Sequence, residues 1–155
     1  MEKPRLLARA EQMGLTNVHF YGYVPKTRLP GILAACDIGL MILANVGYRP
    51  VTPNKIFEYM FAGLPSVVNF PGPTADMVLA DQTGAFADPA DPRRLAEHLI
   101  AWADHPEQRK TMGAHARQLA YQKYDRRTIA RQLADVFQQV LDAYKTSSNP
   151  LSSRP

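Results

Sequence analysis

The sequence predicts an α/β fold, a parallel sheet flanked by helices and followed by a helical C-terminal segment, and three observations carry that expectation. Apolar runs of strand length alternate with segments of helical period as far as Ala87. One of those runs, Ile38 to Leu43 (IGLMIL), is almost wholly apolar, as a strand covered on both faces by helices would be. From Asp91 onward the periods are helical alone. Repeated strand, helix, strand units with short connections build parallel sheets with right-handed crossovers.

The elements follow in order. From Pro4 to Met13, Leu6, Leu7, Ala10 and Met13 fall at helical spacing, and Gly14 stands where a helix stop belongs. Asn17 to Tyr21 (NVHFY) alternates around Val18 and Phe20 before Gly22 and reads as a strand. TRLPGILAAC reads as a second helix, with Thr27 placed to cap it and Pro30 tolerated in its first turn. After IGLMIL comes a long loop, ANVGYRPVT, and then the helix PNKIFEYMFAG. Pro65 to Asn69 is the next strand, TADMVLAD the next helix and Gly84 to Ala87 the last short strand, with Gly72 and Gly84 serving turns. DPRRLAEHLIAWADH opens with an Asp cap and a Pro at the first helical position, and carries Leu95, Leu99 and Trp102 on one face. HPEQRKTMGAHARQLAYQKY and DRRTIARQLADVFQQVLDAYK follow as helices. In the last, Ile129, Leu133, Val136, Phe137, Val140 and Leu141 form a regular stripe, so it should pack on something.

Composition bounds the function. A chain of 155 residues, 46% hydrophobic and 21% charged, is one globular domain by size and composition. The expected domain spans 1–145, with 146–155 a flexible tail rich in Ser and Pro. Eighteen Lys plus Arg against fourteen Asp plus Glu leave a net charge of +4, which tolerates an anionic partner without requiring one. The single cysteine, Cys36, lies in the apolar stretch ILAACDIGL and reads as a buried, inert thiol in a reducing compartment. No apolar run approaches the roughly 18 residues of a membrane span, and MEKPRLLARAEQ lacks a signal-peptide core, so the expected location is cytoplasmic.

Ligands of open parallel sheets bind beyond the carboxyl ends of the strands, where loops run into helix N-termini. That rule selects Ala44 to Thr52 and the helix after it. Thr52 is placed to cap, Pro53 to occupy the first helical position, and Asn54, Lys55 and Glu58 to share a polar face opposite Ile56, Phe57, Met60 and Phe61. Lys55 then sits in the first turn, where the helix dipole repels a cation by roughly 0.3 to 1 kcal/mol. A bound anion would reverse that penalty. Helix-terminal amides with Lys55 suit a phosphate, and Glu58, one turn on, suits hydroxyl groups. A phosphorylated sugar or a nucleotide has both. A Lys and Glu at i, i+3 also occur as a solvated surface pair, and spacing does not choose between the two.

Other constellations are poorer. His19, His98, His105 and His115 lack close metal-ligand spacing. GxGxxG, GxxxxGK[ST] and GxSxG are absent, so a dinucleotide fingerprint, a P-loop and a hydrolase elbow lack support. Arg109, Lys110, Arg117, Lys123, Arg126, Arg127 and Arg131 make the C-terminal helices basic; without a recognition signature such a run is usually a solvated face, and no nucleic-acid partner is expected.

The order NVHFYGYVPKTRLPGILAACDIGLMIL, then PNKIFEYMFAGLPSVVN, then GAFADPADPRRLAEHLIAW and the helices beyond resembles the C-terminal part of GT-B glycosyltransferases of glycosyltransferase family 4 over most of residues 2–145. PNKIFEYMFAGLPSVV is its most specific segment. The resemblance implies a Rossmann-like sheet binding a UDP- or GDP-linked nucleotide-sugar, and sugar transfer with retention to a glycan or lipid-linked acceptor in polysaccharide or glycolipid assembly. The acceptor would be held mainly by a separate N-terminal GT-B domain. Neither cofactor nor metal is implied, and peripheral contact with the inner membrane face fits the acceptor. Glu58 matches the second Glu of the family's Glu-x7-Glu motif, on the ribose hydroxyls; Tyr23 and Val24 match the region that packs on the base; Thr52, Asn54 and Lys55 fall at the helix start that faces the diphosphate.

Two departures qualify the match. Pro50 stands eight residues before Glu58, where the family's first Glu contacts the donor sugar. The P-x-K-x-x-E-Y form of the motif marks a subfamily variant, in which Lys55 takes part of that contact. Family members also carry two strands before the helix with which this chain begins, lying in the order 3-2-1-4-5-6 between the NVHFY and IGLMIL strands. The chain therefore reads as a fragment, a truncated frame or a domain completed by another chain, expected to be inactive alone. The rival readings are a non-catalytic nucleotide-binding module and a basic interaction domain for nucleic acid or a membrane surface.

Overall fold

A computed structural model describes residues 2–43 and 50–147. The chain divides into two compact units, Met1–Ile32 and Leu33–Pro155.

In the first unit, α1 (Lys3–Gln12) has Pro4 in its first turn. It ends as the sequence predicts: Gly14 takes φ +64°, and the N–H of Leu15 reaches back to the Ala10 carbonyl at 3.0 Å, closing the helix in a left-handed cap. The expected strand Asn17–Tyr21 does not form. Alternation around Val18 and Phe20 supplies the period of a strand, but a strand exists only as one side of a ladder, and no strand pairs with this segment among the described residues. The second helix is shorter than expected, α2 (Leu29–Ala34). Thr27 does not cap it, because the turn closed by Arg28 N–H on the Pro25 carbonyl comes between.

Cys36 is exposed, contrary to the buried thiol expected. It lies two residues beyond the end of α2, which buries no residue, and its N–H closes a turn on the Leu33 carbonyl at 3.0 Å.

The second unit holds the sheet. The strands β1 (Gly39–Met41), β2 (Ser66–Val68) and β3 (Gly84–Phe86) run parallel in the order β1-β2-β3, joined by α3 (Lys55–Ala62) and α4 (Pro73–Ala80). Three of the four expected strands are therefore present. Successive residues of β2 face opposite layers, as the period of a strand requires. Val68 joins Met41, Ile56, Met60, Phe70 and Val78 under α3 and α4, while Val67 joins Ala85, Ala87 and Trp102 under α5 (Pro92–Asp104). Asp91 caps α5 as predicted, its carboxylate accepting the Arg93 N–H at 3.1 Å.

The strand IGLMIL is covered on one face rather than two. Met41 is buried, but Leu40 and Ile42 are 40% and 50% exposed, because Trp102 of α5 packs over β2 and β3 and leaves the outer strand's second face open. Gly84 opens β3 rather than serving a turn: a Cβ there would stand 1.9 Å from the Ser66 carbonyl oxygen.

Helix α6 (Pro106–Lys123) closes over α3. The contact runs through two glycines. Gly63 ends α3 at φ +76°, and a Cβ on Gly113 would stand 2.1 Å from the Gly63 carbonyl oxygen. Helix α7 (Arg126–Ser147) starts on Asp125, whose carboxylate accepts the Arg127 and Thr128 N–H groups at 2.9 and 3.3 Å. It runs through Thr146 and Ser147, which sequence reading puts in the tail; residues 148–155 lie outside the described residues. The stripe from Ile129 to Leu141 does not pack as expected. Its six members are 45–61% exposed, and α7 has no buried residue among those described.

Candidate functional site

The site follows from where α3 begins. Asn54 is the N-cap residue and is itself helical, at φ −55° and ψ −25°, with no side-chain cap hydrogen bond. The Asn54 carbonyl accepts from Phe57 and Glu58 at 3.1 and 3.2 Å, and the Pro53 carbonyl accepts from Ile56 at 3.2 Å. Thr52 is thus two residues upstream of the cap, and its expected capping role is corrected: it is too far back to reach the second or third helical amide. Pro53 likewise precedes the helix rather than opening it.

Lys55 is the first helical residue, at the positive end of the helix dipole. Its side chain and those of Thr52, Asn54 and Glu58 are exposed, while Ile56 and Met60 on the opposite face are buried. Lys55 and Glu58 form no ion pair among the described residues. The N–H groups of Asn54 and Lys55 meet no acceptor among the described residues, leaving a cation and two donors together on the carboxyl-end side of β1.

The neighbouring Tyr59 ring covers β1. A Cβ on Gly39 would stand 2.4 Å from it, and the Tyr59 hydroxyl donates to the Leu40 carbonyl at 3.1 Å. Burial, then the Glu58 charge, then Cys36 push its phenol above the usual value, which keeps the hydroxyl a donor.

Two residues that sequence reading passes over hold the chain on either side of this region. The Asn69 side chain accepts from Leu43 N–H at 2.7 Å and donates to Leu43 C=O at 3.1 Å. The hydroxyl of the fully buried Thr74 donates to the Val51 carbonyl at 2.8 Å. A polar residue at the end of a predicted strand and another in the first turn of a predicted helix were the available signals; their partners lie 26 and 23 residues away.

Tyr23 and Val24 lie in the first unit, Tyr23 91% exposed and Val24 half-buried. Residues 44–49, most of the loop Ala44 to Thr52 that the ligand rule selects, lie outside the described residues; Pro50, where the family's first Glu would stand, is exposed. Among the described residues no group of three or more His, Cys, Asp or Glu could hold a metal ion. Three of the basic residues of the C-terminal helices carry acidic partners, Arg109 with Asp37, Lys110 with Glu107 and Lys123 with Asp81, so the basic run is partly neutralised. No helix of the described residues is long and apolar enough to cross a membrane.

The family model of glycosyl transferases group 1 matches residues 2–119. The chain belongs to that family. As a group 1 glycosyltransferase chain it shares its fold with solved structures. Sucrose-phosphate synthase from Thermosynechococcus elongatus superposes with a TM-score of 0.74 at 22% identity, over 92% of this chain and 35% of that one. Anabaena HepE, solved with UDP and glucose and also with UDP-glucose, superposes with a TM-score of 0.73 at 25% identity, over 88% of this chain and 36% of HepE. WaaG, a glycosyltransferase involved in lipopolysaccharide biosynthesis, gives 0.67 at 22% identity, over 86% and 35%. No curated protein matches the sequence. The resemblance to GT-B glycosyltransferases is thereby borne out as membership of group 1 and in fold, and the chain spans about a third of the length of the structures it matches.

Proposed function

We propose that this chain is the donor-binding part of a retaining family 4 glycosyltransferase, which transfers a sugar from a UDP- or GDP-linked donor to a glycan or lipid-linked acceptor. The observation that carries the reading is the start of α3, where exposed Lys55 and two open amides lie one turn from exposed Glu58. The amides and Lys55 hold the diphosphate and stabilise the charge that develops on it as the sugar leaves. Glu58 accepts hydrogen bonds from the ribose hydroxyls. Tyr23 and Val24 pack on the base, a role that rests on the resemblance. HepE, with UDP-glucose bound, supports a nucleotide-sugar as the ligand.

The acceptor is bound by a further GT-B domain, so these 155 residues alone are proposed to turn over negligibly. The enzyme works in the cytoplasm in polysaccharide or glycolipid assembly, at the inner membrane face, with neither metal nor cofactor. Amide-resolved NMR of the chain titrated with UDP, with GDP and ADP for comparison, tests the site. Shifts at Tyr23, Val24 and Lys55 that weaken about tenfold or more in Glu58→Ala support it, since losing charge-assisted bonds costs roughly 1.5 to 3 kcal/mol. Absence of any shift with all three nucleotides would sink it.

A further inference from the structure

The hydrogen bonds of Asn69 and Thr74 bear on the site through the chain they hold. The N–H of Lys55 would bond to the Val51 carbonyl, four residues back, if α3 ran one turn further toward its N-terminus. That carbonyl instead receives the Thr74 hydroxyl at 2.8 Å, and α3 starts at Lys55. Thr74 itself is immobilised: it is fully buried in the first turn of α4, beside buried Ala75 and Val78. At the other boundary Asn69 extends the β1–β2 ladder with its side chain. Main-chain pairing ends where the Asn69 N–H meets the Met41 carbonyl at 3.2 Å, and the side-chain amide then takes both the N–H and the C=O of Leu43, as a strand residue would. Asp lacks the donor for that double contact, and Ala lacks both groups.

We infer that Thr74 and Asn69 are positioning residues for nucleotide binding: Thr74 diverts the Val51 carbonyl so that α3 begins at Lys55 with its first amides open, and Asn69 fixes the point at which the chain leaves β1 toward that helix. The inference rests on the nucleotide-binding reading of α3. Binding groups must be held within about half an ångström of their working geometry by such supporting contacts. A purely structural pair would contribute stability and leave the affinity of the folded protein unchanged.

The test uses the 155-residue chain with UDP as probe, comparing wild type, Thr74→Val, Thr74→Ser and Asn69→Ala by calorimetric titration well below each melting temperature, together with hydrogen exchange at the Lys55 amide. The expected result is affinity weakened about tenfold in Thr74→Val and Asn69→Ala, slower exchange of Lys55 N–H in Thr74→Val as the released carbonyl draws the helix back, and recovery of both in Thr74→Ser. Unchanged UDP affinity in folded Thr74→Val or Asn69→Ala, with a lower melting temperature alone, overturns the inference and leaves the nucleotide reading standing. Should Thr74→Val not fold, Asn69→Ala and Thr74→Ser decide it. A wild-type chain that binds none of UDP, GDP and ADP overturns the reading of α3 and the inference with it; where GDP or ADP binds in place of UDP, it serves as the probe.

Discussion

Lys55 is the residue at which stability and function oppose each other. A cation on the first helical position faces the positive end of the dipole, and neutralising it should stabilise the empty protein by about 0.3 to 1 kcal/mol. The same change removes the charge proposed to meet the diphosphate. Lys55→Gln is therefore expected to raise the melting temperature slightly while weakening UDP about tenfold, with a shallower salt dependence of binding. Calorimetry with and without UDP measures both. A variant that is less stable and binds equally well would remove Lys55 from the site. The polar face of α3 was legible because Asn54, Lys55 and Glu58 stand at helical spacing behind a proline. Thr52 was misread because Asn54 adopts helical angles without using its side chain as a cap, a backbone choice that no spacing reveals. Asn69 and Thr74 were illegible for another reason: their acceptors are set by the tertiary fold.

Among the strand segments, the one enclosed between two neighbours was read correctly in full, while two others show what an apolar period leaves open. Ser66–Val68 is buried residue by residue, and its apolar run marked it plainly. Asn17–Tyr21 has a strand's period but no ladder, and Ile38–Leu43 has an apolar run but one covered face. On the covered face, Tyr59 joins α3 to β1 through its ring over Gly39 and its hydroxyl on Leu40. Its phenol is raised above the ordinary 10.0, chiefly by burial and then by Glu58, so the folded state holds the proton more tightly than the unfolded one. Stability from this group is complete below pH 10.0 and is lost as the pH rises from there through the higher folded value. Melting curves between pH 8 and 11.5, about the range spanning the phenol titration, should therefore fall more steeply for wild type than for Tyr59→Phe. Tyr124 is also raised, chiefly by burial, so the difference between the two proteins, not the wild-type slope, is the diagnostic.

Across the second unit, burial is concentrated in the sheet and in α3 to α6, and α7 contributes none among the described residues. That helix is nevertheless 22 residues long, begins on the Asp125 cap and carries the Gln138 to Asp142 side-chain bond at 2.8 Å. Its formation is thus supported locally, by length and by capping, at a scale where isolated helices longer than about 15 residues become marginally stable. The apolar stripe predicted from the sequence is real in its spacing; what the sequence could not state is whether anything covers it. The distribution of burial makes opposite demands on two substitutions. Met60→Ala, which empties a fully enclosed site between α3 and its neighbours, should cost about 2 to 5 kcal/mol in a urea unfolding experiment. Phe137→Ala, on a side chain 61% exposed, should stay within about 0.5 kcal/mol. A comparably large cost for Phe137→Ala, with an unfolding midpoint that rises with protein concentration, would mean that in solution a second copy buries the stripe. The same cost at a midpoint independent of concentration would place the contact within one chain.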